Sequence, residues 1–240
     1  MTDDSRTKKA ICLEDLKRRI LTQALEPGSY LDEVSISETY AISRPPLREV
    51  LRQMAGEGYV VLHENRGVQV APMTHKTLRN FFLAAPMIYA AVSRLAAQHA
   101  TKLQVTQLKN TQRLFRAAIV SGDVAERALL NERFHAVIGE MADNEFLIPS
   151  LRRLLIDHTR IGMTFYSPHQ QGMARQRAVA ADQHDQFIAL IEAHDEDGAA
   201  ALAIDHWELS RAEIENFVTP IGIDISLGRA PGTAIKREAI

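Results

Sequence analysis

Apolar residues recur along this chain in two textures. Over residues 8–25, Ile11, Leu16, Ile20 and Leu21 stand among Lys17, Arg18 and Arg19, the spacing of an amphipathic helix, and "EPGSY" ends it. A second short helix is predicted over 32–40, then a tight turn at Ala41 and Ile42. A third helix follows over 43–57, stopped by Gly58. In "YVVLHENRGVQVAP" β-rich residues 59–62, a polar turn and residues 68–71 predict a hairpin. Beyond residue 74 strand alternation ceases. Six helices are predicted, over 75–100, 104–121, 124–142, 145–166, 171–194 and 198–218. The breaks between them carry turn chemistry, such as Ser121-Gly122-Asp123, Asp143-Asn144, Ser167-Pro168 and Asp197-Gly198.

Helix, helix–turn–helix, then hairpin is the order of a winged helix–turn–helix. The expected fold class is therefore mainly α. A winged helix–turn–helix with a small β-hairpin wing occupies 1–74, an all-α antiparallel bundle of six to seven helices occupies 75–224, and a flexible Gly/Pro-containing tail occupies 225–240.

Within the third helix, "SRPPLREVLRQM" carries the first candidate chemistry. Ser43 is a good N-cap, and Pro45 and Pro46 fit a first turn whose N–H groups have no internal partner anyway. Leu47, Val50, Leu51 and Met54 form one buried stripe. Arg44, Arg48 and Arg52 recur every fourth residue and form one ridge beside it. On an arbitrary helix such a ridge is usually a solvated face paired to glutamates, here Glu49 or Glu57. Following a helix and tight turn, and preceding a hairpin tipped by Arg66-Gly67, it is instead placed to enter a DNA groove. Arginine reads guanine bidentately and also grips phosphate.

Residues 31–51, "LDEVSISETYAISRPPLREVL", together with "GEGYV" and "NRGVQV", resemble the winged helix–turn–helix of the GntR family of bacterial transcription regulators. Leu31, Glu33, Ile36, Ser43, Arg44, Pro46, Arg48, Glu49 and Leu51 keep step with its pattern, over about residues 8–72. The resemblance implies operator contacts at Arg44, Arg48 and Gly67; with Ser43, Pro45, Arg52 and Arg66 from the helix start, the ridge and the wing tip, these are the candidate DNA-binding residues. Two positions depart from it: Ala41 stands for the usual turn glycine and Pro45 for the usual threonine, whose hydroxyl contact to the DNA backbone is lost.

Charge gives no global sign of nucleic acid. The 240-residue chain has a formal net charge of -2, and up to residue 74 ten Lys and Arg stand against eleven Asp and Glu, so any DNA site is a local patch. The N-terminal "MTDDSRTKKA" has no apolar signal core, and one cysteine, Cys12, fits a reducing cytoplasm. The apolar run "FFLAAPMIYAAV" is too short to span a bilayer, so no membrane partner is expected.

Three of the nine histidines lie on apolar faces of three different helices. His135 shares a face with Asn131, Phe134 and Ile138, His184 with Phe187, Ile188 and Ile191, and His206 with Leu202, Ala203 and Leu209. One inward histidine is more often a hydrogen-bonded core residue; three point to a shared polar site. "NERFH" and "QHDQFIALIEAHDEDGAAALAIDHW" resemble the helical effector domain (FCD) of FadR-type GntR regulators. That resemblance implies a divalent metal, zinc or nickel, at Asn131, His135, His184 and His206, beneath a small carboxylate effector. Asparagine replaces the usual aspartate, which leaves an empty site as the other outcome. The arginine that such relatives carry early in the first bundle helix is missing, with Ala85 and Tyr89 near its place. Tyr89, His158 and Arg160 are the substitute effector-pocket residues. The expected protein is thus a homodimeric, metabolite-responsive regulator of palindromic operator DNA. The alternatives are the same regulator with metal as its signal and, remotely, a metal-dependent hydrolase. Against the hydrolase, Asp182 and Asp185 face away from His184, and no nucleophile elbow, phosphate-binding glycine loop or His-Glu-x-x-His is present.

Overall fold

A computed structural model describes residues 3–165 and 174–218. The expected tail over 225–240 and the Ser167-Pro168 break lie outside the described residues. Helix α1 (Asp3–Leu21) leads to strand β1 (Tyr30–Leu31), α2 (Glu33–Thr39), α3 (Arg44–Glu57), β2 (Val60–His63) and β3 (Gly67–Val70). Six helices follow: α4 (His75–His99), α5 (Lys102–Ser121), α6 (Val124–Met141), α7 (Leu147–Phe165), α8 (Ala174–Glu192) and α9 (Glu196–Val218).

The first helix differs from expectation, starting five residues earlier and stopping at Leu21 instead of residue 25. The chain turns there because Gln23 takes a left-handed φ of 58° and Leu25 N–H reaches back to the Arg19 carbonyl. Strand β1 went unforeseen. At two residues it has no alternation to detect, and it exists because Tyr30 and Leu31 pair antiparallel with Gln69 and Val68 of β3. The sheet order is β1-β3-β2.

Helix α2 is capped by Asp32, whose side chain accepts from Val34 and Ser35 N–H. The turn into α3 carries Ala41 at φ 47°, a left-handed conformation that costs an L-residue with a Cβ. Relief of that strain exceeds the extra chain entropy glycine brings to the unfolded state. Ala41→Gly should therefore stabilise the protein by roughly 0.5–1 kcal/mol in urea denaturation. No gain would mean that the turn relaxes around the methyl group at no cost. Gly58, at φ 95°, ends α3 in the left-handed C-cap expected of it.

Two hydrophobic cores result. Cys12, Leu16 and Ile20 of α1 meet Leu47, Val50, Leu51 and Met54 of α3 and Val60, Val68 and Val70 of the sheet. The second core joins Phe81, Ala85, Tyr89 and Val92 of α4 to Phe134 and Ile138 of α6, Leu151 and Leu155 of α7, Phe187 and Ile191 of α8, and Leu202 and Trp207 of α9. Helix α4 is long and apolar enough to cross a membrane by length and composition alone. Its apolar side is instead occupied, with Phe81, Ala85, Tyr89, Val92, Ala96 and Ala97 buried in this core. Pro86 lies inside α4 and does not end the helix.

Candidate functional site

The arginine ridge is built by the first core. Burying Leu47, Val50, Leu51 and Met54 against α1 and the sheet leaves the adjoining face of α3 outward, and Arg44, Arg48 and Arg52 are all exposed there. The glutamates that could have neutralised them are engaged elsewhere. Glu49 pairs with Lys9 at 2.6 Å and Glu57 with Lys17 at 2.6 Å. Among the described residues none of the three arginines forms an ion pair or hydrogen bond. Ser43 occupies the N-cap in an extended conformation, but its hydroxyl makes no capping bond, so the expected side-chain cap is absent. Proline within the first turn costs no hydrogen bond, and Pro45 is exposed beside Arg44. In the wing, Asn65 and Gly67 take φ values of 60° and 82°, which makes the tight hairpin and leaves Arg66 and Gly67 exposed at its tip.

The second site lies inside the bundle. His135 from α6, His184 from α8 and His206 from α9 are buried, and one ring nitrogen of each lies within 4.8 Å of the other two. Gln112 of α5 fixes one of them. Its amide NH2 donates to the Ala181 carbonyl at 2.7 Å, so its oxygen faces His184 Nδ1 at 3.1 Å. His184 must then be the Nδ1–H tautomer, with a lone pair on Nε2. Gln183 Oε1 meets His206 Nδ1 at 2.7 Å and orients that ring in the same way. His135 Nε2 and His184 Nε2 are buried with no hydrogen-bond partner. Burial, reinforced by the neighbouring imidazoles, holds His135 and His184 well below the usual histidine pKa and His206 at about 3, so all three are neutral at pH 7. Three neutral imidazoles, two of them oriented by amides behind them, fit a borderline divalent metal such as zinc or nickel.

A pocket adjoins the triad, with an apolar wall from Phe115, Ala128 and Ala180 and a few polar groups set into it. It is lined by Arg127 and Asn131 of α6, His158, Thr159 and Gly162 of α7, Arg177 of α8 and His206. His158 ring stands 5.5 Å from that of His135, and its Nδ1 is 2.7 Å from the Tyr89 hydroxyl. Burial lowers His158 to about 4 and raises the Tyr89 phenol. Asn131, His158 and Tyr89 are thus brought together with the triad. Arg160 is not. Its guanidinium is buried and engaged by the Ala71 carbonyl and by Asp157, two residues around the helix from the pocket face. Arg160 therefore does not line the pocket as expected; the arginines that line it are Arg127 and Arg177. Both were legible: Arg127 precedes Asn131 and His135 at i, i+4, i+8, and Arg177 precedes His184 by seven. Asp182 and Asp185 both bind Arg116 on the outer surface, away from the histidines.

The comparisons with known proteins agree with this architecture. Residues 12–70 match the model of the gntR family of bacterial regulatory proteins, and residues 87–209 match the FCD domain. The Nta operon transcriptional regulator of Aminobacter aminovorans is 26% identical over 182 residues, 75% of this chain and 81% of that protein. The transcriptional repressor RspR of Escherichia coli is 28% identical over 139 residues, 58% of this chain and 61% of its own length. Among solved structures, Escherichia coli McbR/YncC superposes with a TM-score of 0.74 at 16% identity, covering 90% of this chain and all of that one. A GntR regulator from a Rhodococcus species gives 0.67 at 14% identity, covering 88% and 98%. These are regulators of transcription, not enzymes, and a winged helix–turn–helix followed by an FCD bundle places the chain in the GntR family, in its FCD-carrying branch.

Proposed function

We propose that this transcription regulator reads a palindromic operator as a homodimer in the cytoplasm and releases or captures it in response to a small organic acid bound in the bundle. The observation that carries DNA reading is the exposed ridge of Arg44, Arg48 and Arg52, whose candidate glutamate partners are paired to Lys9 and Lys17. Arg48 sits mid-ridge to read a base edge, and Arg44, Arg52, Arg66 and the Gly67 backbone grip phosphates. Ser43 and Pro45 shape the first turn, and with proline at 45 that position offers no hydroxyl or N–H to the DNA.

In the bundle, His135, His184 and His206, with the neutral oxygen of Asn131, would hold zinc or nickel. The metal supplies a Lewis-acidic positive charge to an anionic ligand. Arg127 and Arg177 add cationic donors, no carboxylate lines the described pocket, and His158, held by Tyr89, adds a neutral ring nitrogen. That charge balance selects an acid over a sugar or an amine. Metal content of the purified protein and zinc calorimetry test the site. One equivalent is expected per chain, reduced at least about tenfold in affinity in His135→Ala, the range associated with loss of a supporting ligand. Zinc bound equally well by that variant would remove His135 from the site.

A second reading makes the metal itself the signal, and the unpartnered His135 and His184 Nε2 atoms favour it. Zinc titration of the operator complex without any metabolite separates the two. A shift in affinity supports metal sensing, and none leaves the metal as a support for the acid.

A further inference from the structure

We propose that α7 is the coupling element between the bundle pocket and the DNA-reading head, acting through Arg160, Asp157 and Arg153. The inference rests on the pocket being the effector site. Helix α7 has two working faces. His158, Thr159 and Gly162 line the pocket. His158 and Arg160 are two residues apart, so at about 100° per residue they project to opposite sides of the helix.

The far face meets the reading head at three places. Arg160 is fully buried and donates from a guanidinium nitrogen to the Ala71 carbonyl at 2.6 Å. Ala71 follows β3 directly, and its own N–H donates to the Tyr59 carbonyl at 2.9 Å, next to the α3 C-cap. Arg153 lies flat against that cap: a Cβ on Gly58 would meet Arg153 Cδ at 2.5 Å. From the loop after α1, Gln23 Nε2 donates to the Arg160 carbonyl at 2.5 Å. Asp157, itself buried, binds both Arg153, at 2.8 Å, and Arg160. One carboxylate therefore ties the arginine on the recognition-helix cap to the arginine on the wing strand.

These bonds are directional and mostly shielded from water, so α7 cannot rotate or slide beneath a ligand without breaking them or carrying Gly58 and Ala71 along. Both ends of the reading surface, the recognition helix and the wing, hang on these two successive turns of α7. Arg160 and Asp157 are positioning residues and touch neither effector nor DNA. Coupling of this kind is reciprocal, so operator binding must also alter the pocket.

Hydrogen exchange on the full chain tests this, with zinc ion alone as the probe and calorimetry reporting whether zinc binds. The variant Asp157→Asn/Arg160→Gln removes both charges, so neither is left buried alone. In the unsubstituted protein zinc should slow the amides of α7 and also those of Gly58, Tyr59 and Ala71, by about fivefold or more. In the double variant bundle amides should still slow while Gly58, Tyr59 and Ala71 change less than about twofold. Equal slowing of those three amides in both proteins, or bound zinc that leaves them unchanged in the unsubstituted protein, overturns the coupling.

If calorimetry shows that zinc does not bind, the metal reading fails, and His158→Ala then decides the coupling by itself. It should speed exchange at Gly58, Tyr59 and Ala71 by about fivefold in the unsubstituted background and add nothing in the double variant. The same effect in both backgrounds, or none in either, overturns the proposal. Should the double variant fail to fold, Arg153→Gln, at an exposed side chain, and Gln23→Asn, which keeps a residue tolerant of positive φ but is too short to reach Arg160, serve in the same comparisons.

Discussion

Arg48→Ala should abolish specific operator binding while leaving helicity and urea midpoint unchanged. The side chain is exposed, makes no ion pair among the described residues, and lies one turn inside α3, where a recognition helix reaches base edges. A bidentate arginine–guanine contact contributes roughly 1–3 kcal/mol of discrimination. A homodimer on a palindrome loses it twice, about 2–6 kcal/mol, or a factor of roughly 30 to more than 10,000 in affinity. Fluorescence anisotropy on a fragment from upstream of the gene measures it. Arg48→Lys, which keeps the charge but not the fork, should fall between. Arg66→Ala should differ in kind: weaker binding to all sequences and a salt dependence reduced by about one ion per protomer. Unchanged affinity of Arg48→Ala for that fragment would refute base reading by this ridge.

Most of the fold was legible because its elements are long and periodic. Helices of 18 to 25 residues with apolar stripes, separated by Ser-Gly-Asp or Asp-Asn, leave little ambiguity. Strand β1 and the early stop of α1 were not legible, since both are fixed by tertiary partners: Tyr30 and Leu31 by β3, and Gln23 by Arg160. The histidine triad could be read from its faces because each histidine sits among apolar neighbours at helical spacing. Gln112 and Gln183 could not, because a glutamine facing inward looks in sequence like any surface amide; only their geometry against His184 and His206 reveals them. Arg160 misled for the converse reason. Its helix is the right one, but a difference of two residues carries it to the other face, where it serves the domain junction.

Acid should strip stability from the metal-free protein before it harms zinc binding. In the unfolded chain each histidine takes up its proton near pH 6.5. In the folded chain burial keeps His158 neutral to about pH 4 and His206 to about pH 3, with His135 and His184 also held far below 6.5. Between those limits the unfolded state binds more protons, so stability is complete above pH 6.5 and falls as pH falls. Each such histidine contributes a slope approaching 1.4 kcal/mol per pH unit, and four together about 5, against a typical total of roughly 5–15 kcal/mol. Urea midpoints in EDTA should therefore drop from pH 7.5 to 5.5, and His206→Gln should reduce that fall by about one histidine's share, ~1.4 kcal/mol over the whole interval. The same depressed pKa values have an opposite consequence for the metal. Protons do not compete for imidazoles that stay neutral, so zinc affinity of the folded protein should vary little over this range, where an exposed histidine site would weaken markedly. Calorimetry at pH 7.5, 6.5 and 5.5 decides it: a fall of about tenfold or more per unit would mean that the triad titrates as exposed histidines do and is not the sealed, neutral set that Gln112 and Gln183 hold in place.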